Sequence, residues 1–252
     1  VTLRRRVSLA LLFGGAFLAG MLAFAPASLM GYALERASGG LLSLAQTQGS
    51  LWQGSGVALL KNKSRYQTLG SYRWQLKPFS TALQVENSTG APMTLRYIPF
   101  SGRIEIDKLA LALPASSLEL IAPQLGPYQL QGMFDMHSDH LALAANGLSG
   151  QVTVDWARAA SGLSEIRPLG DYRILLTGNG NAVDAQISTL SGKLQLAGTG
   201  RFDPQNGMQL NGTAQAAPGA AAAELNELLH HIGPEVSPGV FKLALVPQPG
   251  SR

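Results

Sequence analysis

The sequence predicts an all-β fold: an N-terminal transmembrane helix, then an elongated, twisted antiparallel sheet curling toward a half-barrel, with a short C-terminal helix. Three observations predict it. One uncharged apolar run occupies the beginning, short apolar–polar alternations recur after Glu35, and no βαβ rhythm breaks them.

Arg4, Arg5 and Arg6 stand together, and no charge follows until Glu35. The apolar run Val7–Met30 is 24 residues, which as a helix spans about 36 Å, enough for a hydrocarbon core of ~30 Å. The arginines place the short tail on the cytoplasmic side and send the rest outward. The expected division is therefore a cytoplasmic tail at 1–6, a transmembrane helix at 7–34 and a periplasmic β domain at 35–252. A cleaved signal peptide is the competing reading, with Ala23-Phe24-Ala25 as the small-residue site. The run exceeds a signal core of ~7 to 15 residues, and Pro26 follows the site directly. Gly15/Ala19 and Ala16/Gly20 are small residues four apart, a spacing that admits a second helix.

Beyond Glu35, Leu41 to Gln48 reads as a short extension of the helix, with a break at Gly39-Gly40. Alternation then takes over. Tyr72, Trp74 and Leu76 share one face, with Arg73, Gln75 and Lys77 on the other. Ile104 and Ile106 alternate with Glu105 and Asp107, after which Leu109, Leu111 and Leu113 continue in the opposite phase. That slip predicts a bulge or tight turn at Asp107-Lys108. Val152/Val154/Trp156, Tyr172/Ile174/Leu176, Val183/Ala185/Ile187, Leu194/Leu196, Met208/Leu210 and Phe241/Leu243/Leu245 extend the pattern.

Turn residues concentrate at 87–90, 178–181 and 203–207, predicting hairpin tips. Leu-Gly-x-Tyr occurs at Leu69, Leu125 and Leu169, each as a strand opening. Ala220 to Ile232 predicts a helix, because Leu225, Leu228, Leu229 and Ile232 fall at helical spacing before Gly233-Pro234. Pro114 to Ile121 is read as a single turn.

Charge and composition narrow the function. Without Arg4, Arg5 and Arg6 the net charge falls from +4 to +1, so the basic excess is largely topological. No basic cluster interleaved with aromatics suggests nucleic acid. The absence of cysteine excludes thiol catalysis, thiolate metal sites and disulfides. His137 and His140, in Asp135-Met136-His137-Ser138-Asp139-His140, read as solvated strand-end residues with no third partner for a metal. His230 and His231 end the predicted helix, where cations are favoured. No nucleophile elbow, zinc-protease helix, phosphate loop or dinucleotide fingerprint is present. The expectation is a non-enzyme with no cofactor and no metal. Trp52, Trp74 and Trp156 are the large anchors. Trp74 and Trp156 lie in the apolar phase of their strands and read as core, while a partner-binding role is the sharper reading for all three.

Several segments in order carry a family resemblance. They are Gly49-Ser50-Leu51-Trp52-Gln53-Gly54, Leu69-Gly70-Ser71-Tyr72-Arg73-Trp74-Gln75-Leu76-Lys77-Pro78, Ser101-Gly102-Arg103-Ile104 and Gly150-Gln151-Val152-Thr153-Val154-Asp155-Trp156-Ala157. With the basic tail, the apolar helix, Leu113-Pro114-Ala115 and Leu169-Gly170-Asp171-Tyr172, the chain resembles type II secretion system protein N, the GspN-like component of the general secretion pathway. The resemblance implies a single-pass protein of the inner membrane, N-terminus cytoplasmic. It further implies a part in exporting folded proteins across the outer membrane by binding or scaffolding, with the other inner-membrane proteins of that assembly, the outer-membrane secretin, or both as partners. It carries over no catalytic residues. The rival reading is a periplasmic lipid-binding or lipid-transfer protein, with the leucine, isoleucine and valine phase lining an apolar groove.

Overall fold

A computed structural model describes residues 12–17, 20–62, 65–77, 80–88, 90–145, 147–203, 207–219 and 222–245. The chain divides into two compact units, residues 1–90 and 91–252.

In the first unit, residues 12–17 and 20–23 are helical, and helix α1 follows at Ser28–Ala37. The strands are β1 (Leu42–Gly49), β2 (Gln53–Asn62), β3 (Arg65–Leu76) and β4 (Ala82–Asn87), each antiparallel to the next. Two expectations change here. The single helix expected over 7–34 is interrupted, since residue 24 turns and α1 begins anew at Ser28. Pro26 explains the break: proline has no N–H to donate, and it pushes the preceding residue toward extended backbone. Residues 7–11 and 18–19 lie outside the described residues, as do Arg4, Arg5 and Arg6. Among the described residues no helix is long and apolar enough to cross a membrane.

The second change is that Leu41 to Gln48 is not helical, because β1 occupies it. Gly39 and Gly40, at φ +62° and +86°, end α1. The Ser38 hydroxyl then accepts the Leu42 N–H at 2.9 Å and starts the strand.

The second unit contains β5 (Pro92–Ile98), β6 (Arg103–Pro114), α2 (Leu118–Ile121), β7 (Gln131–Ala144) and β8 (Gly147–Ala160). It continues with β9 (Gly170–Gly180), β10 (Ala182–Gly192), β11 (Leu194–Asp203), β12 (Gly207–Ala216), α3 (Ala222–Ile232), β13 (Glu235–Ser237) and β14 (Val240–Leu245). Strands β5 to β12 lie side by side in chain order, followed by β14 and then β13. All described pairings are antiparallel, and the order does not return on itself as a closed barrel would.

At the slip expected at Asp107-Lys108 the structure has an irregularity but no inserted residue. Asp107 pairs with His140 and Leu109 with Ser138 in unbroken register, while Lys108 takes φ +57°. Ile106, Leu109 and Leu113 pack against the same apolar cluster on either side of it. The Gly178–Asn181 tip is a two-residue hairpin, closed by Asn179 opposite Ala182. Residues 204–206 of the third expected tip lie outside the described residues.

Leu-Gly-x-Tyr opens a strand only at Leu169. At Leu69 it sits at a register shift within β3, and at Leu125 it falls in a 3-10 helix. Helix α3 appears as expected, with residues 220–221 outside the description.

Apolar residues of the second unit gather in two clusters. One joins Leu225, Leu228 and Leu229 of α3 to Tyr172, Leu194, Leu196, Ala214 and Phe241. The other centres on Ala115, Phe134, Leu141, Val152 and Val154. Both draw on the alternation read from sequence, so burial follows the face, while helices and loops cover only part of it.

Candidate functional site

In the first unit, long-range contacts join the N-terminal apolar segment to the sheet. Pro26 forms a β-bridge with Ser50. The Leu51 N–H donates to the Ala25 carbonyl at 2.8 Å, and the Ala27 N–H to the Gly49 carbonyl at 3.3 Å. Ala25 and Ala27 are buried at 4% and 3% exposure. Alanine fits because two backbone segments meet there with little room between them. Trp52 completes the junction, its indole N–H donating to the Leu22 carbonyl at 2.8 Å. That carbonyl, in the last turn of a helical stretch, also accepts the Ala25 N–H at 3.3 Å.

The segment Gly49-Ser50-Leu51-Trp52-Gln53-Gly54 has a local reason for each glycine. Gly49 sits at φ +90°, a backbone that side chains other than glycine rarely adopt. At Gly54 a β-carbon would lie 2.6 Å from both the Trp74 ring and the Gln48 carbonyl. Trp74 is itself 4% exposed. Its indole N–H is shared between the Ser50 and Leu51 carbonyls at 3.3 and 3.2 Å. Trp74 thus holds the Ser50–Leu51 backbone, and from the same loop Trp52 holds Leu22.

Helix α1 extends the junction. Its inner face sets Gly31 against Leu44, where an added β-carbon would stand 3.4 Å from the Leu44 β-carbon. Glu35 pairs with Lys61 of β2 at 3.5 Å. Its outer face presents Leu29, Tyr32, Ala33 and Arg36 to solvent. The sequence reading had absorbed Leu29, Tyr32 and Ala33 into the membrane helix. Pro26 was the available signal that a second helix starts after it.

Trp156, the third candidate, belongs to the second unit. Its indole N–H donates to the Gln131 carbonyl at 2.9 Å, and its ring lies between Phe134 and Tyr172, with centroids 5.3 and 5.6 Å away. Tyr172 is 1% exposed and donates its hydroxyl to the Leu194 carbonyl at 2.9 Å; burial raises its pKa well above the ordinary phenol value. Trp52, Trp74 and Trp156 are therefore not gathered into one site: the first two share a junction, and the third stacks in a core.

The opposite, polar face of the second unit carries a row of ion pairs. Arg173 holds Asp155 through two hydrogen bonds of 2.7 and 2.8 Å, and His137 faces the same carboxylate at 3.8 Å. The Arg173 hydrogen bonds hold Asp155 below the usual carboxylate range. Asp171 is also lowered, by the Arg158 N–H and the Ser191 hydroxyl. His140 bonds Asp107 at 2.6 Å. Both histidines of the 135–140 segment thus have carboxylate partners on neighbouring strands. Among the described residues no group of three or more histidine, cysteine, aspartate or glutamate side chains is placed to hold a metal.

Open grooves run along the strands of both units. One of about 690 Å³ is lined by Leu175, Ala185 and Leu210 together with Thr177, Asp184, Gln186, Thr199, Arg201 and Asn211, so its lining is mixed. Another of about 410 Å³, in the first unit, is lined by Gln48, Ser55, Ser71, Arg73 and Glu86 among others.

No curated protein and no solved structure matches the chain. A family profile does: that of protein N of the type II secretion system, over residues 40–244. The matched span includes the Gly49–Gly54 loop, both clusters of the second unit and all three tryptophans. The chain belongs to the type II secretion system protein N family.

Proposed function

We propose that this protein is a non-enzymatic accessory component of the type II secretion system, held in the inner membrane by its N-terminal segment with its C-terminal domain in the periplasm. It binds or scaffolds other inner-membrane secretion proteins, and through them the secretin, so that folded proteins cross the outer membrane. The observation that carries the reading is the junction at residues 22–27 and 49–52. Backbone bridges and the Trp52–Leu22 hydrogen bond tie an apolar segment to the first strands of a family-matched β domain. An apolar anchor joined by a flexible linker would leave the domain free to wander; a bridged junction fixes the direction in which it leaves the membrane.

Partner contact is assigned first to Trp52, which is half-buried and hydrogen-bonded to Leu22. Trp74 and Trp156 then act by shaping the surfaces around them.

The test is deletion in the native host, with the location of exported enzymes as readout. Folded enzymes retained in the periplasm and released on complementation are the expected result. A complementing Trp52→Ala chain of normal abundance should restore release only in part. Unaltered secretion together with an outer membrane leaky to detergents would overturn the proposal in favour of lipid handling.

A further inference from the structure

We propose that the outward face of α1 is a docking surface for the phospholipid headgroup layer, so that the protein lies on the bilayer at this helix as well as entering it. The inference rests on the reading of the N-terminal segment as a membrane anchor. Three observations carry it.

The first is the helix's division into faces. Met30, Gly31, Leu34 and Glu35 are shielded, while Leu29, Tyr32, Ala33 and Arg36 are open, with Leu29 and Tyr32 at 45% and 63% exposure. An aliphatic residue, an aromatic with a polar tip and a long cationic side chain on one helix stripe is the composition that sits at a membrane interface. Among the described residues no ion pair engages Arg36, so its guanidinium is free for a phosphate, which it can meet bidentately.

The second is continuity. Five residues separate Ala23 from α1's second residue, so the chain between them reaches at most ~18 Å. If the apolar segment enters the hydrocarbon, α1 therefore begins within that reach of it. Phe24, at 87% exposure, marks the crossing point. Trp52, hydrogen-bonded to Leu22, adds a second aromatic at the same depth, as in the belts that fix membrane proteins at the water boundary.

The third is rigidity. The bridge at Pro26–Ser50 and the Glu35–Lys61 pair hold α1 to the sheet from both ends. Docking α1 therefore orients the strands it packs on.

The chain has no cysteine, so single-cysteine probes can be placed at will. Ala33→Cys lies on the outward stripe and leaves Leu29, Tyr32 and Arg36 in place; Phe17→Cys reports the apolar segment, and Asn181→Cys is an exposed reference. The full chain, labelled with a polarity-sensitive fluorophore at one of these positions, is reconstituted in phosphatidylcholine vesicles containing phosphatidylglycerol. Nitroxide lipids carry the quencher either at the headgroup or in mid-chain. Headgroup nitroxide should quench the Ala33 probe at least twofold more than the Asn181 probe, and Arg36→Glu should abolish most of that excess. If the Ala33 and Asn181 probes quench equally while mid-chain nitroxide quenches at Phe17, the anchor stands and the docking inference fails. If the Phe17 probe is not quenched either, the anchoring reading fails and takes this inference with it. Quenching at Ala33 that Arg36→Glu leaves intact overturns the phosphate contact.

Discussion

Gly54 and Trp74 form the most demanding pair in the first unit. The ring lies where a glycine side chain would begin, and the Gln48 carbonyl closes the other approach. Gly54→Ala must displace a ring that is 4% exposed, so it should cost about 1–3 kcal/mol. Chemical unfolding followed by tryptophan fluorescence would measure it. Tyr172 poses a different demand, since its hydroxyl is buried and spent on one carbonyl. Tyr172→Phe removes the donor without emptying the space and should cost ~1–2 kcal/mol.

The same tyrosine sets a pH dependence. Its folded pKa is raised by burial, while the unfolded phenol titrates near ~10. Below that value both states are neutral and its contribution is unchanged. Above it the unfolded chain gains by ionising and the folded chain does not, so stability falls as pH rises beyond ~10. Tyr172→Phe should flatten that alkaline decline in unfolding midpoints measured against pH.

At the scale of elements, α3 was legible because one apolar stripe in an alanine-rich stretch has few alternatives to a helix. Its Leu225, Leu228 and Leu229 are 0%, 4% and 2% exposed and cover β12 and β14. Leu225→Ala empties a fully buried position and should cost ~2–5 kcal/mol, read as a lowered denaturant midpoint. The irregularity at Lys108 was readable as a reversal of hydrophobic phase, but its form, one left-handed residue in an unbroken register, was not. Strand β1 was not legible. Leu41 to Gln48 carries too few residues to separate a helix turn from a strand, and its identity depends on β2 lying alongside. The interruption at residues 24–27 was half legible: Pro26 was visible, but its partner Ser50 was 24 residues distant in sequence. Leu-Gly-x-Tyr misled for a related reason, since a four-residue pattern does not determine whether the chain is turning, bulging or entering a strand.

Across the whole molecule, the sequence divides each long strand into an apolar and a polar face, and the fold uses the two differently. The apolar phase packs beneath α3 and the loops, while the polar phase is knitted by ion pairs between neighbouring strands. The carboxylates of that polar face give it an acid limit. Asp155 and Asp171 are lowered in the folded state, whereas an unfolded aspartate titrates near ~3.9. Their contribution is complete above that value and is lost as pH falls through it toward the folded pKa values. Asp155→Asn should reduce this acid sensitivity, and midpoints from pH 7 down to pH 3 would show it. The contacts are solvent-exposed, so the effect at neutral pH should be small.

Family membership and β character were determined by the sequence alone, because both rest on order and alternation along the chain: which residue types follow one another, and at what period. The candidate site was not. Trp52, Trp74 and Trp156 were conspicuous as residues, but whether an indole meets a partner, a core or a carbonyl depends on what the fold brings next to it. Tertiary structure alone brought Trp52 to Leu22, set Trp74 over Gly54 and stacked Trp156 between Phe134 and Tyr172. It also turned the end of the apolar run into a separate helix with an exposed face. Periodicity is a local property that short-range sterics enforce, whereas these contacts are long-range, and the chain reveals them only when the strands between have found their neighbours.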